Sequence, residues 1–142
     1  FINTPMPEDF YTDWLRVGAE EAEHFMLLQG RLKSLGSTYG ALPAHDGLWE
    51  AAQNTAHNLA ARLAIVPMVL EARGLDVTPQ MIEKLTKNGD KESADILGII
   101  YEDEKTHVAI GSKWFSYLCR KQNKDPQTQY QNPYTLKQPS ET

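Results

Sequence analysis

The sequence predicts an all-α bundle, and three observations predict it. Three long stretches carry apolar residues at alternating steps of three and four. Glycine and proline punctuate those stretches where helices should end. No stretch of the chain alternates with the two-residue period of a strand.

The first helix is expected to open at Glu8, after Pro5 and Pro7, with Glu8 and Asp9 in the turn where the helix dipole favours acids. Trp14, Gly18, Glu21, Phe25, Leu28, Leu32 and Leu35 then form the seam of a bundle helix, which Gly36 ends. Residues 37–45 are a polar connection containing glycine and proline. Asp46 is placed to cap a second helix, which carries Leu48, Ala52, Ala56, Leu59, Leu63, Val66 and Leu70 on one face. Pro67 should kink that helix, because it deletes a backbone hydrogen bond. Residues 74–78 should interrupt it, with Pro79 opening a continuation to about residue 88. After a turn at Gly89–Asp90, a third long helix has Leu97, Ile100, Glu104, Val108, Gly111, Phe115 and Leu118 as its seam. Residues 1–122 thus form the bundle. Residues 123–142 are a polar, aperiodic tail, expected to be disordered or to lie as an extended arm on a neighbour.

At 142 residues, 41% hydrophobic and 23% charged, the chain is long enough to bury a core as one domain. Its net charge of -5 disfavours non-specific nucleic-acid binding, although Lys113, Arg120, Lys121 and Lys124 cluster near the end of the third helix. The single cysteine, Cys119, can form no intrachain disulfide, which fits a reducing compartment and a cytoplasmic location. No stretch approaches the roughly 20 apolar residues needed to span a bilayer, and no signal peptide is visible. The chain opens on Phe1 rather than Met, as a piece cut from a longer chain would.

Two of the seams contain a carboxylate. Glu21 lies seven residues from both Trp14 and Leu28, and Glu104 seven from both Leu97 and Gly111, so each points into the bundle. A buried carboxylate must be paired, protonated or bound to a cation. A histidine follows each at i+3, His24 after Glu21 and His107 after Glu104, about 60° around the same helix face. With 11 glutamates and 4 histidines in 142 residues, chance gives roughly 0.3 such pairs. Two of them, both on seams, form the doubled motif with which helical bundles hold two metal ions. Carboxylate and imidazole donors suit iron, or manganese, better than a thiolate-rich zinc site. Glu21 and Glu104 are candidates to bridge the two ions.

Glu71 is the candidate third carboxylate. It lies as far before the turn at Gly89 as Glu104 lies after Asp90, to within one turn at about 1.5 Å per residue. The plainer reading is a surface glutamate paired with Arg73. Glu20 and Asp103 each precede a seam glutamate, and are either solvated or hydrogen-bonded to a ligand histidine. Tyr101, one turn before Glu104, lines the metal site or belongs to the core. Gly18 and Gly111 leave room for a substrate or allow close packing. No fourth carboxylate stands at a suitable depth.

Residues 10–35, with "DWLRVGAEEAEHF", resemble an uncharacterised ferritin-like family catalogued as a domain of unknown function. So do "PAHDGLW" (43–49), "ARLAIVPMVLEARGLDVTP" (61–79) and "DEKTHVAIGSKWF" (103–115). The resemblance implies a ferritin-like four-helix bundle in which a preceding helix supplies a further glutamate, a helix this chain lacks unless another chain provides it. The "LEAR" around Glu71 is also similar to ferritin-like hydroxylases that modify tRNA, where the corresponding glutamate is a ligand. The expected function is a di-iron carboxylate protein that uses dioxygen to oxidise a small organic substrate. Three alternatives stand beside it: an iron oxidase or store, which requires a homo-oligomeric cage, a tRNA-modifying hydroxylase, and a metal-free helical interaction module.

Overall fold

A computed structural model describes residues 4–130, and among them every regular element is helical. Helix α1 spans Glu8–Ser34, α2 Gly47–Asn54, α3 Leu59–Ile65, α4 Ala72–Lys87, α5 Lys91–Lys121 and α6 Pro126–Tyr130. A π-helical turn, Val66–Glu71, joins α3 to α4.

The helix ends follow from local chemistry. Pro7, extended at φ -60° and ψ 156°, opens α1 ahead of Glu8 and Asp9. Gly36 closes it at φ +76°, where Ser37 N–H reaches back to Leu32 O at 2.9 Å. Gly89 repeats the device after α4 at φ +81°, with Asp90 N–H donating to Leu85 O. The Asp90 carboxylate then caps α5 by accepting from Ser93 N–H at 3.0 Å.

Helix α5 is the axis of the molecule. Helix α1 lies antiparallel along one side of it, and α3, the π turn and α4 lie along the other. At one end Asp13 accepts hydrogen bonds from Lys113 Nζ and Trp114 Nε1 at 2.7 and 2.8 Å. At the other end Arg31 donates to Ser93, Asp90 and Glu92, tying the last turn of α1 to the first of α5. The apolar core fills the first of these ends: Phe10 and Val17 meet Leu59, Leu63 and Ala64 of α3 and Ile110, Trp114, Phe115 and Leu118 of α5. Toward the Arg31 end the molecule is open. A groove of about 440 Å³ runs between α1, α4 and α5, lined by Phe25, Leu28, Leu32, Leu35, Leu85 and Leu97 among others.

Several expectations need correction. The buried stripe of α1 is Phe10, Val17 and His24, while of the expected seam Trp14 packs against the core and Glu21 meets His107 of α5. On that seam Phe25, Leu28 and Leu35 remain 42–58% exposed, because they face the groove. The second helix is broken at 55–58: Asn58 adopts an extended conformation and caps a new helix by accepting from Ala61 N–H. Thr55, buried at the break, donates to Ala51 O and accepts from Arg62 Nε. At Pro67 the irregularity takes the form of a π turn, Val66–Glu71. Helix α4 has no interruption at 74–78 and runs through Pro79; it buries no residue fully, so the carbonyl that Pro79 leaves without a partner can be hydrated. Residues 126–130 of the expected tail are helical, because Asp125 caps them and Tyr130 donates to Met68 O while its ring meets Phe115. The rest of that tail, 131–142, lies outside the described residues.

Of the two seam glycines, Gly18 faces open space, whereas a Cβ on Gly111 would lie 2.6 Å from Cβ and Cγ of Pro67. A proline ring cannot swing aside, so Gly111→Ala should lose about 1–3 kcal/mol to the clash, outweighing alanine's better helix propensity. Gly98→Ala, on the same helix with nothing within 4 Å, should gain about 0.5–1 kcal/mol. Urea melts of the two variants should therefore move in opposite directions.

Candidate metal centre

The two Glu-x-x-His motifs face each other midway along α1 and α5. Because the helices run antiparallel, each motif meets the other reversed, and the contacts cross. His24 Nε2 lies 2.9 Å from Asp103 Oδ2, and His107 Nε2 lies 2.8 Å from Glu20 Oε2. Each imidazole is thus held by the carboxylate that precedes the glutamate of the opposite helix. Both histidines are buried, His24 at 4% exposure and His107 at 0%, and their ring centroids are 5.8 Å apart.

With Nε2 used outward, Nδ1 of each ring turns inward to the seam glutamates. His107 Nδ1 lies 3.1 Å from Glu21 Oε1 and 3.5 Å from Glu104 Oε2, while His24 Nδ1 lies 3.8 Å from Glu21 Oε2. Glu21, His24 and Glu104 offer ligand atoms all within 4.8 Å of one another. Both Nδ1 atoms, Glu104 Oε2 and Glu71 Oε2 are buried without a hydrogen-bond partner. Buried polar atoms rarely go unpaired, and Glu21, His24 and Glu104 are placed so that they could hold a metal ion.

Glu71 reaches this place through the π turn that ends on it, rather than pairing with Arg73 on the surface. Burial pushes its carboxyl up to about 7, and the charges of Glu104 and Glu21 add to that. Burial and Glu21 raise Glu104 too, against the opposing charge of His107. Burial lowers His107, but the hydrogen bond to Glu20 and the charges of Glu104, Glu21 and Glu71 together raise it. Glu21 is the most open of the group, with its side chain 47% exposed.

Tyr101 is half-buried and stacks under Lys105, whose Nζ lies 4.4 Å from the ring centroid. Sequence reasoning missed Arg16, which donates to Glu20 Oε1 at 2.8 Å and so stands behind the Glu20–His107 pair. The Arg-to-Glu spacing of four was the available signal. Cys119 is buried and its thiol is pushed up by that burial. Of the basic residues near the end of α5, Lys113 is paired with Asp13 and Lys121 donates to Pro5 O. No helix among the described residues is long and apolar enough to cross a membrane.

The crowded carboxylates set a pH dependence for the metal-free chain. Glu71 holds its proton up to about 7 when folded, against 4.5 as a free side chain. Between those values the folded state binds more protons than the unfolded one, so stability falls as pH rises. His107, also raised, acts in the same direction. In chelator, the melting temperature should therefore drop between about pH 5 and pH 8. Glu71→Gln should raise it at pH 8 by at least roughly 3 °C and leave it unchanged near pH 4. A wild-type melting temperature that climbs over this range would contradict the crowding.

Comparison with known proteins places the chain. A Haemophilus influenzae protein described as "Uncharacterized protein" is 51% identical over 116 residues, 82% of this chain and 40% of that protein. The chain thus spans about two fifths of that curated relative's length. No solved structure matches it. The family model described as "Protein of unknown function (DUF455)" matches residues 1–140, taking in both Glu-x-x-His helices and Glu71 between them, and the chain therefore belongs to the DUF455 family.

Proposed function

We propose that this chain is the greater part of a ferritin-like bundle that holds a carboxylate-bridged pair of iron ions and uses dioxygen to oxidise an organic substrate. The observation that carries the reading is the cluster of Glu21, His24 and Glu104, with the unpaired Nδ1 of His107 beside it and buried Glu71 feeling the charges of Glu104 and Glu21. Two imidazole nitrogens with three carboxylates make a donor set that suits iron or manganese. His24 would serve one ion and His107 the other, with Glu21 and Glu104 between them and Glu71 as the third carboxylate.

A reduced pair of iron ions, when bound, supplies the electrons for reducing dioxygen. The chain's own work is to hold and orient. Asp103 and Glu20 accept from Nε2–H of the two histidines, which fixes the tautomer and keeps each Nδ1 lone pair directed inward. Glu71 would give up its proton as the ions enter, so uptake should release protons near neutral pH. A fourth carboxylate would come from a further helix lying in the groove, against Phe25, Leu28 and Leu35.

Elemental analysis of the full-length protein, purified without added metal, should find roughly two iron ions per chain. Glu104→Ala should abolish binding of the pair while circular dichroism shows the helices retained. Unchanged metal content in that variant would sink the assignment.

A further inference from the structure

The two halves of the crossed arrangement differ in how their outer carboxylates are engaged. Glu20, behind His107, is engaged by a cation: Arg16 Nε donates to its Oε1 at 2.8 Å. Asp103, behind His24, has no such salt bridge among the described residues, and Arg16 reaches it only through space. The Nε2-to-carboxylate distances match at 2.8 and 2.9 Å, with both rings buried. On the inner side, however, Glu21, His24 and Glu104 group their ligand atoms within 4.8 Å of one another, and His107 Nδ1 stands beside them, 3.1 Å from Glu21.

From this we infer that Arg16 makes the two metal positions unequal by neutralising the carboxylate behind His107. The inference rests on the di-metal reading and deepens it. An ionised carboxylate behind a ligand imidazole raises the basicity of the metal-facing nitrogen and adds negative charge near the ion. Asp103, with no such ion pair among the described residues, delivers more of both effects to the His24 position. Glu20 delivers less to the His107 position, because Arg16 draws on the same charge. Since Glu21, His24 and Glu104 also offer ligand atoms within 4.8 Å of one another, the first divalent ion enters on the His24 side and the second binds more weakly on the His107 side. Arg16 touches neither ion and acts through Glu20 as a positioning residue. Its side chain is 62% exposed, so replacing it leaves the packing of α1 on α5 intact.

Anaerobic calorimetric titration of the metal-free, full-length protein with ferrous iron at pH 8 tests this. Wild type should take up two ions in two resolved steps. Arg16→Gln should tighten the weaker step about three- to tenfold and leave the stronger one within about twofold. Arg16→Lys should retain the wild-type pattern. Asp103→Asn should loosen the stronger step and bring the two together. A merely structural Arg16 would give the opposite sign, since its loss would weaken uptake. A weaker step that is unchanged or looser in Arg16→Gln, or two equal steps in wild type, would overturn the inference and leave the di-metal reading standing. No iron uptake by wild type would overturn both.

Discussion

The structure turns on the cost of burying ionisable groups between two helices. Two imidazoles and parts of two carboxylates are removed from water between α1, α5 and the turn before α4. Groups so placed are costly unless they are paired. Antiparallel α1 and α5 meet half of that demand by crossing, His24 to Asp103 and His107 to Glu20. The crossing also fixes the register of the two helices. A slip of one residue would break both pairs together, along with the Asp13 and Arg31 links at either end. The other half of the demand, at both Nδ1 atoms and at Glu71 and Glu104, meets no hydrogen-bond partner, and Glu21, His24 and Glu104 could hold a metal ion there.

That division explains the irregular passage between α3 and α4. Proline inside a helix removes a backbone donor, and the π turn accommodates the loss by widening the chain over Val66–Glu71. The widening seats Pro67 against Gly111, where no side chain would fit, and ends on Glu71 beside the other carboxylates. Close packing at Gly111 and the placement of Glu71 are thus one event, less than two turns apart on the same segment. Strain and functional candidates often coincide in this way.

Much of this was legible in the sequence, for identifiable reasons. The i+3 spacing of Glu21 with His24 and of Glu104 with His107 is a property of helix geometry alone, and the structure sets those four side chains together. Matching depths on antiparallel neighbours likewise brought Glu71 to Glu104. What spacing could not show was which stripe of α1 is buried. Phe10–Val17–His24 and Trp14–Glu21–Leu28 are both seven-residue repeats, and a single chain does not say how many neighbours a helix has. The break at Asn58 was hidden because apolar periodicity continues across it, although Asn58 itself is a good capping residue. The π turn left no periodic trace, since it shifts one register by about one residue.

The second stripe of α1 links the open groove to the carboxylates. Phe25, Leu28 and Leu35 are exposed on it, and Glu21 shares it with its side chain nearly half in water. Contiguous apolar surface of this kind marks a place where another surface sits. The same cover that removed those side chains from water would also dry Glu21. Attraction between a carboxylate and a cation strengthens as the local dielectric falls, so drying Glu21 without an ion would be costly and drying it with one would be favourable. Under the proposed di-metal reading, covering the groove and loading the ions are therefore coupled in sign: a surface seated against Leu28 and Phe25 would hold the metals more tightly, and the metals would hold it.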